Sequence, residues 1–149
     1  MIPIHVPRGE GEVVNVLGVP ILIRLRAGET NGVLGLFESH DPAGDGPPPH
    51  IHHREDETFH ILEGDYEFRV GDRTIRAFPG DTLFAPRSVP HSYRCLSPEG
   101  GRISVTLTPG GFEGFFQQVG ALSAAEQQDL PRITQLAAAF GLEFVRPGS

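Results

Sequence analysis

At 149 residues the chain is about one domain long, enough to bury a core without disulfide staples, and its single cysteine, Cys95, permits none. The formal net charge of −7 comes with twelve scattered basic residues and no positive stripe to neutralise phosphates, so nucleic acid is not an expected partner. All twelve are arginines, and the absence of lysine excludes Schiff-base, pyridoxal-phosphate and P-loop chemistry.

In chain order, Gly and Pro (19 and 14 residues) punctuate short apolar runs in the spacing of an all-β sandwich or barrel. The expected strands are Val13–Leu17, Pro20–Arg26, Val33–Ser39, His50–His52, Glu57–Leu62, Tyr66–Val70, Arg73–Phe78, Thr82–Ala85, His91–Leu96 and Arg102–Thr108. Turn residues separate several of them, as at Asn31-Gly32, Gly64-Asp65, Gly71-Asp72 and Gly80-Asp81. After Gly110 the period changes. Phe112, Phe115, Phe116 and Val119 form one helical stripe, Ser123 and Glu126 fit a capping box, and Pro131 opens a last helical run closed by Gly141. The chain thus reads as a single domain, 1–149, with a barrel core over about 13–110. A helical tail over about 111–149 is expected to pack outside the barrel or cover a sheet edge, with its phenylalanines as core.

Four of the seven histidines fall between positions 50 and 60. Residues two apart in a strand share a face, so His50 and His52 present two imidazoles to one side. From Glu57 the alternation resumes, with Glu57, Phe59 and Ile61 on the inner face; a lone buried carboxylate there would be costly, and a bound cation removes that cost. His91 opens a later strand whose inner face carries Tyr93 and Cys95. Three imidazoles and a carboxylate suit one divalent transition metal (Fe, Ni, Mn, Co, Cu or Zn) and not Mg or Ca. His53, placed in an acidic turn, is expected to pair with Glu55 or Asp56, while His60 faces outward and His5 and His40 lie on the surface. Cys95 is expected to be a small buried hydrophobe, with a reactive thiol or an extra soft ligand as the alternative.

The pattern Gly44-x5-His50-x-His52-x4-Glu57-x6-Gly64 resembles the first cupin motif at every fixed position, and "PGD…PRSVPHSYRC" resembles the second, with Pro86 and His91 in place. Ser88 and Cys95 stand where that motif has glycine and asparagine. The resemblance implies a cupin (jelly-roll) β-barrel of two antiparallel sheets with His50, His52, Glu57 and His91 as metal ligands. Within the cupins, "PPPHIHHREDETFHILEGDYEFRVGD" and the tail after "TPGGFEGFF" are similar to small quercetin 2,3-dioxygenase-like proteins. That similarity implies a metal-dependent dioxygenase acting on a small aromatic or enolic, flavonol-like compound, with Glu57 as both ligand and catalytic base. Phe59, Phe84, Tyr93 and Cys95 are the expected pocket residues. The alternatives are a metal-dependent isomerase or lyase, which would not need oxygen, and a non-catalytic small-ligand-binding cupin.

The opening residues have neither a basic segment nor an apolar core like those of a signal peptide, and no apolar run approaches the ~18 residues of a membrane span. With the single cysteine, this points to the cytoplasm and to no membrane partner. The segment "VVNVL" and the strand Pro20–Arg26 offer apolar edges for a two-fold interface, so a homodimer is expected.

Overall fold

The computed structural model describes residues 1–146, so the last three positions of the expected tail lie outside the described residues. Eleven strands and three helices follow the order β1 (Glu12–Val16), β2 (Val19–Leu25), β3 (Gly35–Asp41), β4 (His50–His52), β5 (Asp56–Glu63), β6 (Tyr66–Val70), β7 (Arg73–Ala77), β8 (Thr82–Ala85), β9 (His91–Cys95), β10 (Gly101–Thr108), α1 (Glu113–Gly120), α2 (Ala124–Gln127), α3 (Leu130–Ala139) and β11 (Leu142–Phe144). The strands form two antiparallel sheets, ordered β1-β2-β3-β10-β5-β8 and β11-β4-β9-β6-β7. Their facing surfaces enclose a core that includes Phe37, Phe59, Ile61, Tyr66, Phe68, Ile103 and Val105. Alternation drives this arrangement. Along β5, Glu57, Phe59 and Ile61 are buried while His60 and Leu62 are exposed, as a half-buried strand requires.

Ten strands fall where turn chemistry and alternation put them, with ends shifted by a residue or two. β3 differs most in consequence. It runs on to Asp41, so Ser39 and Asp41 continue the inward face begun by Phe37. Pro20–Arg26 does not supply a free edge: β2 lies between β1 and β3, and of the two expected segments it is β1 that stands at an edge of the sheet, with Val13 exposed on it and Leu17 exposed in the turn after it. Sequence periodicity did not announce β11, a three-residue strand that pairs with β4 in the register Leu142↔His52, Glu143↔Ile51 and Phe144↔His50.

The helices carry their expected caps. Ser123 and Glu126 bond reciprocally, and Asp129 accepts from the Arg132 N–H at the start of α3. α1 packs on β1 and β3, α3 packs on β11 and α1, and Phe112, Phe115 and Phe116 enter the cavity between the sheets. Gln127, buried, fixes this end of the molecule: its side chain accepts from the Leu17 N–H at 2.8 Å and donates to the Asn15 and Val119 carbonyls at 3.2 and 2.9 Å. Leu17 has a left-handed backbone (φ 52°) in the β1–β2 turn, so this side-chain bond holds a conformation that a leucine adopts only at some cost.

Candidate metal centre

Three neighbouring strands bring the chemistry together. β4 supplies His50 and His52, and His50 is directly opposite His91 of β9 across the ladder. Glu57 enters from β5 in the other sheet. One ligand atom from each of the four side chains lies within 4.8 Å of all the others, and all four residues are buried. A glutamate Oε2 sits 2.5 Å from His91 Nε2 and 3.2 Å from His52 Nε2. The His50 and His91 ring centroids are 4.3 Å apart, and His52 is held edge-on against Phe112 at 4.5 Å.

These positions set the charges. Burial opposes ionisation of Glu57, but His52, by charge and hydrogen bond, and His91 outweigh it and hold the carboxyl well below its usual range. For His52 burial favours the neutral ring, yet Glu57 and then Glu55 raise its pKa to about 9. His50 is lowered to about 3, chiefly by burial and then by repulsion from His91. Without an ion, then, the cluster is a carboxylate resting against a protonated His52. Three nitrogens and a carboxylate oxygen converging in a buried site fit a divalent transition ion, which would replace that proton.

Glu55 is a site residue that the sequence did not single out. It is 4% exposed although it lies in the turn "HRED", and its Oε2 is 3.3 Å from His52 Nδ1 without the alignment of a good hydrogen bond. Both atoms are otherwise unpartnered. A small rotation of the ring would let Nδ1–H donate to Glu55, leaving Nε2 free to ligate, the arrangement in which an outer carboxylate fixes a ligand's tautomer. Glu55→Ala should therefore weaken metal binding by about 10–100-fold, measured by competition with a chromophoric chelator, while the fold is retained. An unchanged affinity would show that the contact is only structural.

The remaining expectations divide. Phe59 and Tyr93 line a cavity of about 210 Å³ that opens onto the cluster, as do Phe112, Phe115 and Phe116. Phe84 does not: it is 58% exposed, because the register Thr58↔Phe84 places it on the outer face and turns Leu83 inward beside Phe59. Cys95 is buried opposite Tyr66, away from the cavity wall, and burial pushes its thiol up, so it is a core residue rather than a pocket residue. His53 pairs with Glu143 at 2.7 Å and not with Glu55 or Asp56, while Asp56 instead meets Arg87. His60 is exposed beside Thr82, and His5 and His40 lie on the surface. Ser88, where the second motif has glycine, has a left-handed backbone (φ 68°) and donates its N–H to the His52 carbonyl at 2.8 Å.

With the site in place, comparison with known proteins gives a consistent answer. Residues 37–110 match the cupin domain family. Quercetin 2,3-dioxygenase of Bacillus subtilis (strain 168) is 35% identical over 121 residues, covering 80% of this chain and 35% of that protein, so the chain spans about a third of the length of the relative. Among solved structures, KdgF from a Halomonas species superposes with a TM-score of 0.65 at 21% identity, over 76% of this chain and 99% of that one. An RmlC-like cupin from Shewanella frigidimarina gives 0.63 at 22%, over 75% and 96%. Two antiparallel sheets, a family match that contains all four clustered side chains, and these neighbours agree: residues 37–110 are a cupin domain, and the chain is a small cupin-fold protein resembling quercetinase-like proteins.

Proposed function

We propose that the protein is a metal-dependent dioxygenase acting on a small, flat, enolic or aromatic compound. The observation that carries this reading is the buried histidine–glutamate cluster opening directly onto an aromatic-walled cavity. The 35% identity to quercetin 2,3-dioxygenase supports the reaction class.

His50, His52, Glu57 and His91 would hold the ion, which when bound supplies Lewis acidity and, if redox-active, an electron route to dioxygen. Glu57 is the group suited to take the substrate's hydroxyl proton. It is kept ionised by two histidines, and a carboxylate oxygen faces the cavity within reach of a hydroxyl placed at the cluster. Phe59, Tyr93 and Phe112 sandwich a planar ring and exclude water from the proton transfer. The outermost strand β1, with Val13 exposed on it, is the candidate surface for pairing two chains as a homodimer.

The test is oxygen uptake by apoprotein reconstituted separately with each first-row ion, using 3-hydroxyflavone as substrate. Consumption should require the ion, stop in sealed anaerobic cells, and fall by about 10²-fold or more in Glu57→Gln. Turnover that continues without oxygen would replace this reading with an isomerase or lyase. Absence of turnover with every ion would leave a binding protein.

A further inference from the structure

The cavity has a second polar end that the metal chemistry does not use. On the inner face of β3, Ser39 and Asp41 are buried and line the same cavity as His50 and His91. Ser39 Oγ donates to one Asp41 oxygen at 2.7 Å, and the Tyr66 hydroxyl donates to the other at 2.7 Å. Both hydroxyl protons are thereby spent. A carboxylate has about four lone-pair sites, so Asp41 retains acceptor capacity, as does the serine oxygen. What these three groups offer a ligand is acceptors, while the Tyr93 hydroxyl, which also lines the cavity and approaches Ser39, is a donor beside them. Asp45, which also lines the cavity, adds negative charge nearby. A ligand carboxylate would be repelled here, and a carbonyl would find no donor from Ser39, Asp41 or Tyr66.

The two ends are separated along β9. His91 faces the cluster, and Cys95, four residues on, is the rung opposite Tyr66, whose hydroxyl reaches Asp41. Tyr93 stands between them with its ring against Phe59, Phe68 and Tyr66. Between the poles the wall is apolar apart from the Tyr93 hydroxyl, so a ligand that spans it needs a largely hydrophobic middle.

We infer that the cavity is a two-ended site: the histidine–glutamate cluster takes the enol end of the substrate, and Ser39 with Asp41 accepts a hydrogen bond from a second hydroxyl at the far end. Asp41, with Ser39, thus selects among ring compounds by a hydroxyl remote from the histidine–glutamate cluster. The near end rests on the function proposed above, while the far end stands on Ser39, Asp41 and Tyr66 alone. Asp41 is here a specificity determinant and takes no part in bond breaking.

The experiment measures binding to zinc-loaded protein, where oxidative turnover does not interfere, by titration with 3-hydroxyflavone and its 7-hydroxy and 4′-hydroxy derivatives. At least one hydroxylated derivative should bind about tenfold tighter than the parent, as expected for a hydrogen bond to a charged acceptor. That preference should disappear in Asp41→Asn, with the affinity for the parent unchanged. If Asp41→Asn does not fold, Ser39→Ala should reduce the preference. Equal affinities for all three compounds, or a preference that survives both substitutions, would overturn the far-end assignment. The two readings fail separately. A preference that depends on Asp41, without any oxygen uptake, removes the dioxygenase and keeps the subsite; uptake that ignores the distal hydroxyl does the reverse. If no flavone binds, resorcinol, tested on metal-free protein so that no phenolate can ligate an ion, decides the far end. It should raise the melting temperature of the unaltered protein and not that of Asp41→Asn, and no rise in the unaltered protein would end the proposal.

Discussion

His52→Ala is expected to purify with essentially no bound metal, while the unaltered protein, reconstituted and desalted, retains about one equivalent of a divalent first-row ion by elemental analysis. Of the four candidate ligands, His52 should matter most because it joins both parts of the site. Its Nε2 meets Glu57 at 3.2 Å, its Nδ1 faces Glu55 at 3.3 Å, and its ring is braced by Phe112. Its removal should weaken binding beyond the 10–100-fold typical of an outer partner, and would leave Glu55 and Glu57 buried with a common neighbour gone. His53→Ala is the control: adjacent in sequence, it is exposed and paired with Glu143, and it should retain full metal. Metal binding should also depend on pH with a definite sign. His52, raised to about 9, is protonated at neutral pH and must lose that proton to ligate. Affinity should therefore rise with pH, by about tenfold per unit for this proton, and level off near 9. A flat profile between pH 6 and 9, or full metal in His52→Ala, would mean that the ion is held elsewhere.

The clustering of the four candidate ligands was legible in the sequence because its geometry follows from parity. Two histidines separated by one residue share a strand face whatever the details of packing, and an acid leading an apolar face needs a partner. The structure then brings these residues together through the pairing His50↔His91 and the approach of β5 from the opposite sheet. Where alternation gave no answer, the reading failed. In the four-residue strand β8 both Leu83 and Phe84 are apolar, so the sequence cannot say which turns inward; the register against β5 decides, and it turns Phe84 out. β11 has too few residues to show a period, yet it is what flanks the His50–His52 strand on its free side. Glu55 is invisible for a different reason. An acid in a polar turn is ordinarily solvated, and only the fold of the turn places it under His52.

The tail gives the same lesson on a larger scale. The stripe Phe112, Phe115, Phe116 and Val119 correctly predicts a helix with one buried face, but a stripe does not name what it is buried against. Here that face completes the cavity, so the residues read as plain core also form the aromatic wall nearest the metal cluster. The C-terminal segment is therefore part of the candidate site. α1 supplies its wall, and β11 flanks its ligand strand on the other side from β9.

Glu113 at the start of α1 ties this wall to the barrel, and its loss should separate ligand binding from metal binding. It is buried, at 4% exposure, and one carboxylate oxygen accepts the Ala27 N–H at 2.5 Å while the other accepts the Gly111 N–H at 2.9 Å. Gly35 leaves room for it, since a Cβ there would collide with the carboxylate. Glu113→Ala orphans two backbone donors and opens a void, a loss of about 3–5 kcal/mol at 1–3 kcal/mol for each unsatisfied group. In a chain of this size that corresponds to a fall in melting temperature of about 10 °C, read by differential scanning calorimetry. Glu113→Gln should cost less, because its amide oxygen still accepts one of the two bonds. The four candidate ligands all stand on β4, β5 and β9, so metal stoichiometry should not change in either variant. Phe112, the residue before Glu113, should lose its fixed place against His52, and affinity for 3-hydroxyflavone should fall by about tenfold with the ion still bound. Loss of metal in parallel with loss of ligand would show instead that the helix supports the cluster itself, and would move α1 from the wall of the cavity into the scaffold of the metal centre.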